Sequence, residues 1–316
     1  MCAVSLALGA AGCGASGSDE EIAAAAPAPT GDVTMVVPFG AGGGSDIAGR
    51  AMADGLVSST PRLNINVDNR DGGAGAVGYS YFLAKAGSPN YLLATETSLI
   101  SLPLSQDVEF SHRSFTPVVK IGEDYTLLVA RKDSPMDTCA EAVRQSRTRR
   151  VLAGISGAAG PDNIVFSLLE RRTGAELDRV PYESGSETLA GLLGGQVDLA
   201  SLNPSEVAEQ LEAGDLKALC VFGDQRYDYP ELAGIPTARE QGIDVSFAQF
   251  RGAIAPGNVH PKAAKFWVRA ARRYIDSRAY RDYIRSEYLQ PKVAFGKDFA
   301  QYLRANEALV AEVLHK

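Results

Sequence analysis

The sequence predicts a two-lobed α/β protein with parallel-rich sheets flanked by helices and a hinge between the lobes. Strand-like apolar runs alternate with helical patterns through the first third of the chain, as expected for a sheet covered on both faces. The alternation begins again after residue 130. With 316 residues, 45% of them hydrophobic, the chain is long enough for two lobes of ordinary size, each with its own core.

Residues 33–38 are the first strand and 46–55 a small-residue helix. A strand at 63–69, a helix over 74–85 and a strand at 91–95 follow. Apolar runs at 115–120 and 125–130 lead into the second unit, with strands at 151–155, 197–202 and 217–222. The helix over 161–173 is delimited by local chemistry. Pro161 suits the first helical position, Ile164, Val165, Leu168 and Leu169 share one face, and Arg171 and Arg172 precede Gly174. Ser184 and Glu187 have capping-box spacing, Leu189, Leu192 and Leu193 supply a face, and Gly194 and Gly195 stop the next helix. After Ala255 and Pro256 only helices are expected, at 261–276, 278–287 and 297–314, packing back on the first lobe. Lobe 1 is therefore read as 31–128 with 250–316, and lobe 2 as 129–249. A chain that leaves one lobe, builds another and returns makes a two-stranded hinge, with a cleft at the carboxyl ends of the strands.

Residues 1–12 are apolar and small, and Ala10, Ala11 and Gly12 precede Cys13. This resembles the lipobox of an exported lipoprotein, although Ala10 stands where leucine is usual and no basic segment leads it. Residues 1–12 are expected to be a signal peptide, Cys13 the lipidated residue, and 13–30 a flexible tether to a membrane. Of the four cysteines, Cys2 would leave with the signal, and Cys139 and Cys220 remain. Cys220 sits in an apolar run and reads first as a buried core thiol, with a disulfide to Cys139 as the lesser alternative. No metal-ligand spacing and no cofactor motif is present. The net charge of −7 argues against nucleic acid, and the basic clusters near 144–150 and 269–273 read as solvated helix faces.

The segment from Val33 to Asp46 carries the strongest functional signal. An apolar strand runs into glycines at 40, 42, 43 and 44 and then opens a helix, so bare backbone N–H groups face outward, ready for an anion. No lysine follows the glycines, and the spacing is not G-x-G-x-x-G, so the anion is expected to be smaller than a nucleotide.

Four segments, 37–46, 67–78, 180–198 and 235–242, together resemble the extracytoplasmic solute-binding receptors of tripartite tricarboxylate transporters, the Bug or Tct receptors. They read VPFGAGGGSD, VDNRDGGAGAVG, VPYESGSETLAGLLGGQVD and IPTAREQG, in the family's order. The resemblance implies a type II periplasmic-binding-protein-like fold that closes around a small carboxylate and delivers it to a membrane permease, usually as a single subunit. It also implies a ligand held by backbone N–H groups, hydroxyls and waters rather than by an arginine. By position, the first cradle is Phe39, Gly40, Gly42, Gly43, Gly44, Ser45 and Asp46, and the second lobe adds Ser156, Gly157, Tyr182, Ser184 and Asn203.

Other readings stay open. Gly42 to Gly44 would also serve a tight turn, Ser45 or Asp46 a helix cap, and Tyr182 a core. Thr95 and Thr97 are candidate hydroxyl donors. Asp46 would repel an anion directly, so it is expected to cap the turn or hold a water. Glu96 and Glu183 border the expected cleft; pointing inward, either would suit an ammonium group and a zwitterionic ligand. A serine hydrolase is disfavoured because Ala158 breaks the G-x-S-x-G pattern around Ser156 and the three histidines lie in loop or terminal contexts. A nucleotide-binding enzyme would use Asp68 on a ribose, and a receptor that reports to a membrane sensor is the remaining alternative.

Overall fold

The computed structural model describes residues 28–29, 31–61, 63–156, 160–182 and 184–314. The signal peptide, Cys13, nearly all of the tether, Gly157 and Glu183 lie outside the described residues. The elements are β1 (Asp32–Val37), α1 (Gly44–Ser59), β2 (Asn64–Asn69), α2 (Ala76–Leu83), β3 (Tyr91–Thr95), α3 (Ser98–Ser105), β4 (Thr116–Tyr125) and β5 (Leu127–Arg131). Next come α4 (Cys139–Ser146), β6 (Leu152–Ile155), α5 (Pro161–Thr173), β7 (Asp178–Pro181), α6 (Gly185–Leu193), β8 (Leu199–Leu202), α7 (Pro204–Glu212) and β9 (Leu216–Val221). The chain ends with β10 (Ala248–Ala255), α8 (Pro261–Ile275), α9 (Arg278–Ser286), β11 (Ala294–Phe295) and α10 (Gly296–Leu314).

These build two mixed sheets, ordered β11-β4-β10-β3-β1-β2 and β7-β6-β8-β5-β9. Each is parallel where helices link its strands, as β1 with β2 and β3 or β6 with β7 and β8. Each turns antiparallel at the strands that carry the chain between sheets, where β10 pairs β3 and β4 and β5 pairs β8 and β9. Only Thr126 separates β4 from β5, so the outward crossing is a single residue. The segment 222–247 makes the return, and Tyr227 fastens it to the crossing. Its hydroxyl accepts from the Tyr125 amide at 2.8 Å and donates to the Tyr125 carbonyl at 2.7 Å.

Close packing explains the small residues of α1. A Cβ at Gly49 would stand 2.6 Å from Val37 Cγ2, and one at Gly55 would stand 2.1 Å from the Tyr274 ring, so β1 and α8 press directly on the helix. The ends of α5 follow the sequence signals: Pro161 opens it, and Gly174 closes it at φ +67° in the left-handed region.

Several details differ from the sequence reading. Helices α3 and α7 and strands β7 and β10 were not anticipated, and the short β11 interrupts the expected all-helical end. Pro103 inside α3 masked that helix. The terminal α10 does not pack on the first sheet alone; Leu303, Val310 and Val313 share one apolar cluster with Val165 and Leu169 of α5, and Arg172 pairs with Glu312 at 2.9 Å. Nineteen residues of helix are simply long enough to reach both units. Cys139 and Cys220 form a disulfide with Cα atoms 5.8 Å apart, which corrects the core-thiol reading. A separation of 81 residues hid it, because only the fold brings the start of α4 against β9.

Candidate functional site

The carboxyl ends of strands from both sheets face a cleft of about 510 Å³. One wall is the β1–α1 turn, with Phe39, Gly42, Gly43, Gly44 and Ser45. Gly42 has φ +84°, a left-handed conformation in which any Cβ is strained. That conformation lets its amide donate to Asp46 Oδ2 at 2.9 Å, closing the turn on the first turn of α1. As the first residues of α1, Gly44 and Ser45 have no carbonyl one helical turn earlier to receive their amides.

Asp46 itself does not line the cleft. Its carboxylate accepts from Arg50 Nε and Asn69 Nδ2, both at 2.9 Å, in addition to Gly42. Burial works to raise its pKa, but those hydrogen bonds outweigh it and hold the group below the usual carboxylate range. It caps the turn, one of the two roles, cap or water holder, that the sequence leaves open to it.

The opposite wall repeats this construction. Gly160 to Asp162 open α5, and Asp162 Oδ2 accepts from both the amide and the hydroxyl of Ser156 at the end of β6, the latter at 2.8 Å. At the start of α7, Glu206 Oε2 accepts from the Asn203 amide at 2.9 Å. Unlike Asp46, neither acid has a cationic partner in contact, and burial pushes both above the ordinary range.

The floor comes from β10, β4 and the end of β3. Arg251 is 7% exposed; its Nη2 donates to Asp124 Oδ2 at 3.1 Å and its Nη1 lies 3.5 Å from Ser45 Oγ. The guanidinium lies so close to the turn that a Cβ at Gly44 would meet Nη2 at 3.1 Å. Glu96 accepts from the Ser98 amide at 2.9 Å and from Gln249 Nε2 at 3.0 Å. It faces inward, resolving one of the two glutamates left open by the sequence.

Of the residues singled out in the sequence, Phe39, Gly42, Gly43, Gly44, Ser45, Ser156 and Asn203 are brought together around the cleft. Gly40, Asp46, Thr95, Thr97, Tyr182 and Ser184 are not among its lining residues. Thr95 is buried against the Tyr79 hydroxyl at 3.0 Å, and Thr97 is fully buried at the start of α3. The Tyr182 hydroxyl donates to Gln196 Oε1 at 3.2 Å, and its ring fills the space left by Gly191. Ser184 caps α6 by accepting from the Glu187 amide, so its successors Gly185 and Ser186 reach the cleft instead.

Sequence reasoning missed Arg251, Asp124, Gln249, Asp162 and Glu206. The resemblance implied a ligand held without an arginine, and Arg251 nonetheless lines the cleft. A signal existed: in AQFRGAIA over 248–255, Gln249 and Arg251 share one face of the strand and Phe250 and Ile254 the other. Neither His112 nor His260 lines the cleft, and the Ser156 hydroxyl is engaged by Asp162, so among the described residues no serine–histidine pair forms there. Asp68 is engaged by Arg70 at 2.9 Å.

Residues 49–315 match the family model described as tripartite tricarboxylate transporter family receptor. Protein BugT of Bordetella pertussis is 25% identical over 274 residues, covering 84% of this chain and 83% of that protein. Among solved structures, R. palustris Rpa4515 with adipate superposes with a TM-score of 0.81 at 24% identity, covering 91% of this chain and 98% of the other. MatC from Rhodopseudomonas palustris with bound malate gives 0.79 at 23% identity, covering 90% and 99%. The family match covers well over half of the chain, and the chain belongs to the tripartite tricarboxylate transporter receptor family.

Proposed function

We propose that this chain is an extracytoplasmic receptor that captures a small organic acid between its two lobes and hands it to a membrane permease of the tripartite tricarboxylate type, without catalysing a reaction. The observation that carries this reading is the α1 turn, where the free amides of Gly44 and Ser45 stand beside the Arg251 guanidinium in a cleft of small-molecule size. Relatives whose solved structures hold adipate and malate support the same ligand class. Hydrogen bonds to a charged acceptor contribute about 1.5–3 kcal/mol each, so two amides and a guanidinium are sufficient for micromolar affinity, about 8 kcal/mol, after association costs.

Ligand first meets the turn at 39–46. Closure of lobe 2 (129–249) onto lobe 1 (31–128 with 250–316), about a hinge at Thr126 and the return segment, then adds Ser156, Ser186 and Asn203. Cys13 anchors the receptor to a membrane through its lipid, and the chain works as a single subunit. The Cys139–Cys220 disulfide fits an oxidising compartment outside the cytoplasm.

Thermal unfolding with a panel of di- and tricarboxylates and their amino-substituted counterparts tests the reading. Ligand at about 100 times its Kd stabilises the protein by roughly 2.7 kcal/mol, a readily measured rise in Tm. Absence of any shift with the whole panel, or a shift with NAD instead, would overturn it.

A further inference from the structure

Among the described residues the cleft is lined by five carboxylates, from Glu96, Asp124, Asp162, Glu206 and Glu287, against the single guanidinium of Arg251. An acid-lined pocket is a poor match for a plain dicarboxylate. Two buried acceptors in its floor are more specific. Asp124 is 3% exposed and spends Oδ2 on Arg251, while its Oδ1 has no hydrogen-bond partner. Gln249 is 6% exposed and is oriented by donating Nε2 to Glu96, which leaves its Oε1 without a donor. The two residues face each other in the antiparallel register of β4 and β10, so their side chains rise from the same face of the sheet. Buried acceptors side by side, with a further carboxylate behind one of them, call for a donor that carries positive charge.

We propose that the ligand is a zwitterion whose carboxylate seats on the α1 turn and whose ammonium group seats at Asp124 Oδ1 and Gln249 Oε1, with Glu96 behind. The proposal rests on the receptor reading above and names its substrate class: small amino acids and related amino-carboxylates. Arg251 reaches Ser45 with one nitrogen and Asp124 with another, so the two subsites lie on either side of one guanidinium, a span suited to a small molecule. A metal ion does not fit this place, because among the described residues no group of three or more acidic, histidine or cysteine side chains converges to hold one.

Calorimetry on the intact receptor with matched pairs tests this: glutarate against glutamate, and pentanoate against 5-aminopentanoate. At least one amino compound should bind about ten- to a hundredfold tighter than its partner lacking nitrogen, the range that one charge-assisted hydrogen bond supplies. If the plain acids bind as tightly as or tighter than their amino partners, the zwitterion assignment fails and the carboxylate receptor stands. If neither class binds, both fail. Asp124→Asn should collapse the discrimination, read as the ratio of the amino and plain acids' Kd values falling to about one, because the plain acid no longer meets the Asp124 charge and the amino acid no longer gains from it. If that variant does not fold, Glu96→Gln serves: its carbonyl can still accept from Ser98, and its new amide donor turns Gln249 so that Oε1 points at residue 96 and away from the ligand. Unchanged discrimination in a folded variant would overturn the assignment.

Discussion

Substituting Gly43 by valine should separate binding from folding. Gly43 is the N-cap of α1 at φ −80° and ψ 168°, an extended conformation open to any residue. A Cβ there would meet only the Gly40 carbonyl oxygen, at 3.7 Å, an ordinary van der Waals contact. Its branch instead grows into open space beside the Gly44 and Ser45 amides and denies them to the ligand. Losing two hydrogen bonds to a charged acceptor removes about 3–6 kcal/mol, or roughly two to four orders of magnitude in Kd. Calorimetry with the best-binding acid, alongside the Tm of the free protein, measures both quantities. Gly42→Ala is the contrasting control, since φ +84° makes the fold itself bear about 1–2 kcal/mol of strain. An affinity for Gly43→Val within about threefold of the parent, in a normally folded protein, would refute the cradle.

Reduction of the Cys139–Cys220 bridge, or its replacement by alanines, should lower stability in denaturant by about 2–4 kcal/mol, because the bond closes a loop of 81 residues; equal midpoints with and without reductant would contradict this. Tyr227→Phe strips the Tyr125 amide and carbonyl of their shared partner and should cost about 2–4 kcal/mol, read from urea melts, with faster amide exchange at the β4–β5 crossing; a neutral result would show that the crossing is held otherwise. Burial pushes Asp124, Asp162, Glu206 and Glu287 upward, against the pull of Arg251 on Asp124, Glu206 and Glu287 and with Glu96 adding to the push on Asp124. A raised carboxyl binds more protons folded than unfolded, so these four groups add stability as pH falls from neutral to about 5, opposed by His112, which burial holds below its ordinary value so that the unfolded chain binds that proton more readily. Asp46, Glu141, Glu240 and Glu307, held below their ordinary values, reverse that trend only below about 4. A Tm that drops steadily from neutrality downward would contradict the assignment of those four groups.

Features written in adjacent residues were legible from the sequence, and features written across the fold were not. The ends of α5 and α6 follow from Pro161, Gly174, Ser184 and Glu187 because capping acts within one turn of helix. The glycine turn was legible for the same reason: strand, glycines and helix start are contiguous. Arg251 lies more than two hundred residues beyond that turn, yet its guanidinium touches it, and nothing local announces the meeting. The disulfide and the Asp124–Gln249 pairing depend likewise on sheet order. Tyr182 and Ser184 were assigned to the cleft only by the family resemblance, and the packing of α6 on β6 turns the tyrosine onto Gly191 and spends the serine on a cap.

Three of the helix starts at the cleft, those of α1, α5 and α7, are unequal as anion sites. Each carries an acid in its first turn, at Asp46, Asp162 and Glu206, which takes up amide donors that an anionic ligand would otherwise use. Only at α1 is that acid balanced, by Arg50 at 2.9 Å on its outer side, so the turn facing the cleft keeps the polarity of a helix N-terminus. At α5 and α7 the acid is buried without a cation in contact, and the local field repels an anion while welcoming the positive end of a ligand. The carboxylate should therefore seat at α1 rather than at α5 or α7. Arg50→Gln tests this from outside the cleft: the hydrogen-bond partners of Arg50, Asp46 and Asn69, are not lining residues, yet the change uncovers the Asp46 charge beneath the turn. Because Arg50 is half exposed, the effect is modest, a weakening of about two- to fivefold for every acid that binds, with the preference between amino and plain acids unchanged. An affinity that does not move, or a change confined to the amino compounds, would place the carboxylate at another helix start.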